Sequence, residues 1–154
     1  MNGVRATIVL VLMGSLVVPA SSRATPGPHA VTGTVQVQDG TWLGLSAPDV
    51  ELPGRAWLGH GVPAPSIEIE LDCVQVSWHR PVYPIPPYLP YHLVQASGLG
   101  SDGVRYFITA YDVVARPLGF GDHAAVTSTP AQGACEANPD AAVPIKTGDL
   151  AVLP

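Results

Sequence analysis

Three carboxylates, Glu68, Glu70 and Asp72, alternate with Ile67, Ile69 and Leu71 inside the run Ser66 to Trp78 (SIEIELDCVQVSW). Side chains two apart in a strand share a face at about 7 Å. That spacing suits acid–base work in a glycosidase or calcium binding. It is equally what a solvated sheet face opposite a core looks like, and this second reading is preferred. Asp112 and Asp122 flank a loop with Gly119 and Gly121, which holds only part of a calcium ligand set. The five histidines, His29, His60, His79, His92 and His123, show neither helical nor zinc-finger spacing. His79 and His92 flank a proline tract and meet only if that tract folds back as a hairpin. The serines and threonines form no Gly-x-Ser-x-Gly elbow. No catalytic residue is therefore assigned, and no metal or cofactor is expected.

The tract Arg80 to Tyr91 (RPVYPIPPYLPY) carries five prolines and the tyrosines Tyr83, Tyr88 and Tyr91. Proline at this density biases the backbone to an extended polyproline helix. Interleaved tyrosines give it the amphipathic character of contact surfaces. Trp78, His79, Tyr83, Tyr88 and Tyr91 thus form the candidate binding surface. The plainer alternative is a stiff loop packed on the domain.

The chemistry of the cysteines depends on where the chain resides. Met1 to Arg5 is a short segment with one positive charge, and Ala6 to Val18 (ATIVLVLMGSLVV) is apolar. Small residues follow, with cleavage expected after Ala20 or after Ala24, the second slightly preferred. A spanning helix needs about 20 apolar residues, more than this stretch offers. Residues 1–24 therefore read as a secretory signal peptide, and 25–154 as a single secreted β domain. Outside the cytosol, an even cysteine count reads as a disulfide, which joins Cys73 to Cys135 across about 60 residues. Neither thiol lies in a redox or nucleophile signature.

The whole chain carries −5 at neutral pH; Arg5 and Arg23 leave with the leader while all twelve acids remain, which brings it to −7. The mature domain has no basic patch for nucleic acid or an anionic membrane, and no second apolar run to hold it in a bilayer. Partners are expected among extracellular proteins or envelope components.

Seventeen prolines and sixteen glycines prevent long helices. Runs rich in Val, Ile, Thr and aromatics lie between them and suit strands. His29 to Gln38 alternates, with Val31, Val35 and Val37 on one face. Asp39-Gly40 marks a hairpin turn, with Thr41 to Leu45 returning. Glu51 to Gly59 is a further strand. In Ser66 to Trp78 the apolar phase switches parity after Cys73, which a bulge or bend explains. Tyr91 to Ala96, Val104 to Val114, Ala124 to Thr129 and Ile145 to Leu153 complete the set, and Ser97 to Gly103 reads as a turn. Seven to eight short strands predict an all-β fold, a small antiparallel β-sandwich or β-barrel.

From Ile67 onward, about half the chain resembles a loosely defined group of small secreted actinobacterial proteins of unknown function. The matching pieces are Leu71-Asp72-Cys73-Val74-Gln75-Val76, Gly103-Val104-Arg105-Tyr106-Phe107-Ile108, Asp112, Gly119-Phe120-Gly121-Asp122, Cys135, and Ile145 to Val152. The resemblance implies a β-rich fold and a Cys73–Cys135 bridge, and no activity. The group turns tightly after its first cysteine strand. Here Trp78-His79-Arg80 and the proline tract stand at that point.

The sequence thus predicts a non-catalytic extracellular binding or envelope-interaction module. The alternatives are a secreted hydrolase using Glu68, Glu70, Asp72 or His79, and a small-ligand carrier with a barrel cavity.

Overall fold

The computed structural model describes residues 30–48, 53–79, 90–113 and 121–153. The leader with its two cleavage sites, and Tyr83 and Tyr88 of the proline tract, lie outside the described residues. The rest forms one antiparallel sheet of nine strands: β1 (Ala30–Gln36), β2 (Thr41–Ala47), β3 (Gly54–His60), β4 (Ile67–His79), β5 (Tyr91–Gly100), β6 (Arg105–Val113), β7 (His123–Thr127), β8 (Val143–Pro144) and β9 (Thr147–Leu153). Strands β1 to β8 form a meander, and β9 returns to pair with β1, giving the order 8-7-6-5-4-3-2-1-9. Of the two architectures the alternation allows, the chain adopts the curled one, a half-barrel.

Alternation sets the curl. Val31, Val35, Leu43, Leu45, Leu58, Ile69, Val94, Ile108 and Leu150 all point inward and are buried. Alanines 47, 56, 96, 110 and 124 share that face, and their small size lets the sheet close tightly on itself. These inward side chains form one buried core cluster.

The Asp39-Gly40 pair stands in the first hairpin, with the Val37 N–H donating to the Thr41 carbonyl at 2.9 Å. The parity switch in β4 is a register shift against β5 between Leu71 and Cys73. Before it, Ile69 and Leu71 face the core; after it, Val74 and Val76 pack against the core and Cys73 points outward. One extra residue in the strand accounts for the slip.

Ser97 to Gly103 is not a turn throughout. Strand β5 runs on to Gly100, and only residues 101–103 turn. Gly98 is needed for close approach, since a Cβ there would sit 2.1 Å from the Glu70 carbonyl oxygen. The glycine that signals a turn by composition instead lets the bulged β4 backbone lean across.

Side chains complete the seam between the sheet edges. Only Ile145 and Lys146 separate β8 on one edge from β9 on the other, so the two edges meet. The Leu150 and Val113 N–H groups donate to the two oxygens of Asp122, at 3.1 and 3.2 Å. The Val152 N–H donates to Asp112 at 2.9 Å. The outer edge of β9 is thereby covered rather than left open to another chain.

Candidate functional site

Strands β4 and β5 form a hairpin around the proline tract, with His79 opposite Tyr91 and Trp78 opposite His92. The two ends of the tract are therefore brought together. His79 and His92 nonetheless point to opposite faces, and each meets an aromatic ring of the other strand instead. On the outer face, His79 stacks on Tyr91 (centroids 5.1 Å apart, planes 10° apart). Tyr91 meets Tyr111 edge-on at 5.1 Å, and Tyr111 meets His123 edge-on at 6.1 Å. Four neighbouring strands, β4 to β7, contribute one ring each to this row. On the inner face, at the mouth of the barrel, Trp78 leans on His92 at 4.6 Å. Trp78 is 44% exposed, a large apolar group in water. His92 Nδ1 is buried 3.7 Å from Asp112, without a hydrogen bond.

The row lies beside a covered patch. Segment 130–142, with two short 3-10 turns, crosses the outer face of β5 and β6. Gln95 donates to the Ala137 carbonyl at 2.9 Å, Thr109 to Asn138 at 2.9 Å and Tyr111 to Pro139 at 2.6 Å. Cys135 anchors the segment to Cys73, with Cα atoms 5.6 Å apart. This cover explains why Gln95, Ser97 and Thr109 are buried polar groups on an outward face. It also fixes Tyr111, whose burial raises its hydroxyl pKa above the ordinary tyrosine value.

The three carboxylates of β4 are exposed on the outer face. Asp72 is held by Arg105 in a two-pronged pair at 2.8 and 2.8 Å. The guanidinium lowers the Asp72 pKa, so this group is a poor proton donor at neutral pH. Arg105 also donates to Ser97 at 3.2 Å and sits 6.0 Å from the Phe107 ring centre. The backbone bonds described above occupy Asp112 and Asp122, the residues considered for calcium, in the seam. Among the described residues no three His, Cys, Asp or Glu side chains gather as a metal would need.

One contact was not visible from sequence motifs. Ser77 Oγ lies 2.8 Å from His79 Nε2, because residues two apart in a strand share a face. The imidazole is stacked on Tyr91, and among the described residues no carboxylate orients its other nitrogen, as a full triad would.

No known family, characterised protein or solved structure matches this chain, so its own geometry carries the functional reading.

Proposed function

We propose that the chain is exported, loses residues 1–24, and acts outside the cell as a non-catalytic binding module. Its contact surface is the aromatic end of β4–β7, and its partner is an extracellular protein or envelope component. The observation that carries the reading is the row His79–Tyr91–Tyr111–His123, one ring per strand, at the end of the sheet where Trp78 is exposed on the opposite face. Aromatic groups supply most contact energy in interfaces at low entropic cost. A rigid sheet holds these rings where the proline tract leaves and rejoins it. The Cys73–Cys135 bridge is of the kind found in oxidising compartments.

The test is co-sedimentation of the purified domain with isolated cell envelope, and its retention on immobilised envelope proteins. Trp78→Ser combined with Tyr91→Ser should reduce binding at least about tenfold, as expected for loss of two interface aromatics. Unchanged binding rejects this end as the contact surface.

The Ser77–His79 contact favours one second reading, a serine hydrolase. Labelling of wild type but not Ser77→Ala by a fluorophosphonate would support it, and no labelling of either would remove it.

A further inference from the structure

The outer face of β3 and β4 holds two adjoining depressions, away from the aromatic end. One, of about 210 Å³, is lined by Trp57, Pro65, Glu68, Arg55 and Glu70. The other, of about 510 Å³, shares Arg55 and Glu70 and runs on to Pro53 and Leu99. Together they make one trough across the two strands. Register places its groups in rows, with Trp57 opposite Glu68 and Arg55 opposite Glu70.

Two features set this trough apart from an ordinary solvated face. First, its charged groups are unused. Among the described residues, no hydrogen bond or ion pair engages the side chains of Arg55, Glu68 or Glu70, although Arg55 and Glu70 are cross-strand partners. Asp72, next in the same row, is saturated by Arg105. Second, Trp57 lies down on the sheet. A Cβ on Gly44 would come 2.0 Å from the Trp57 Nε1, so the indole occupies the space that a side chain on β2 would take. Glycine inside a strand costs stability, and here it seats the ring.

The geometry points to a neutral pyranose oligomer as the ligand of this trough. A pyranose presents a flat apolar face of C–H groups and a rim of hydroxyls. The first matches an indole held against the sheet. The second matches free carboxylate acceptors and a guanidinium donor beside it. Glu68, Glu70 and the Arg105-paired Asp72 against Arg55 leave the trough slightly acidic, on a chain of net charge −5, which disfavours polyanionic glycans. Peptide capture by strand addition needs an open sheet edge, and β3 and β4 are paired on both sides. Two adjoining depressions that share Arg55 and Glu70 suit a chain of sugars rather than one.

The experiment is titration of the mature protein with three neutral hexasaccharides, β-1,4-glucose, β-1,4-N-acetylglucosamine and α-1,6-mannose, and with hexagalacturonate as the anionic control. Binding is read by tryptophan fluorescence and calorimetry. At least one neutral hexamer should bind in the millimolar range or tighter. Trp57→Ala should weaken it about tenfold, the scale of one aromatic contact. Glu70→Gln and Arg55→Gln, surface changes that leave the core intact, should each weaken it about threefold or more, the scale of one hydrogen bond. Gly44→Ala should weaken it by displacing the indole. Trp78→Ser should leave it unchanged, which separates this site from the aromatic end. The proposal is overturned if no neutral hexamer binds at 10 mM, if hexagalacturonate binds best, or if both Glu70→Gln and Arg55→Gln bind like wild type.

Discussion

Removing the Cys73–Cys135 bridge, by replacing both residues with Ser, should cost about 4 kcal/mol. The two residues are 62 apart in sequence. In the loop-entropy account, closing a loop of that length removes about 4 kcal/mol of unfolded-state freedom at 25 °C. Three hydrogen bonds from Gln95, Thr109 and Tyr111 fasten the covering segment, each worth about 1 kcal/mol net. Against them stand Cys135 and Glu136, both at positive φ (51° and 57°), a conformation that costs non-glycine residues roughly 1–2 kcal/mol each. These contributions nearly cancel, so the bridge decides whether 130–142 stays down. Two assays follow. Guanidinium unfolding of the double variant should show the loss as a lower midpoint with a similar slope. Hydrogen exchange should show faster exchange in 130–142 than in the inner strands β1–β3. A stability loss below about 1 kcal/mol would refute this reasoning, because the segment would then be held by its hydrogen bonds alone.

Asp122→Ala should destabilise the domain by about 2–5 kcal/mol, since it strands the buried N–H groups of Val113 and Leu150. Thermal melts would show it, and a loss under about 1 kcal/mol would mean the seam does not depend on this carboxylate. Tyr111 is held protonated by burial, so its folded pKa lies above its unfolded one. That contribution is complete below about pH 10 and is lost as pH rises through the folded value. Tyr111→Phe should therefore flatten the alkaline decline in stability, measured by denaturant midpoints between pH 9 and 12. An identical decline in the variant would rule Tyr111 out as its source.

Local chemistry made much of the fold legible. Asp39-Gly40 marked its turn because few other pairs fit a tight hairpin. The parity switch after Cys73 marked the bulge because strand side chains have a strict period of two. Ser97 to Gly100 was misleading, because composition cannot distinguish a glycine that turns the chain from one that lets a neighbouring backbone approach. Asp112 and Asp122 suggested calcium, because a sequence does not show that their acceptors are spent on backbone N–H groups from a strand about 30 to 40 positions later. The cover over β5 and β6 was signalled only by Cys135, whose bridge anchors it: its hydrogen bonds end on backbone carbonyls, which every residue carries. Of the candidate surface, His79 and Tyr91 stack on the outer face and Trp78 meets His92 on the inner one, while Tyr111 and His123 join the outer row only through cross-strand register.

The proposed role requires this chain to work outside the cytosol. Intact-mass analysis of the protein recovered from the culture medium, with and without alkylation under denaturing conditions, tests this most directly. The expected species begins after Ala20 or Ala24 and takes up no alkylating reagent. Recovery only inside cells, with Met1 retained or with both thiols alkylated, would contradict it.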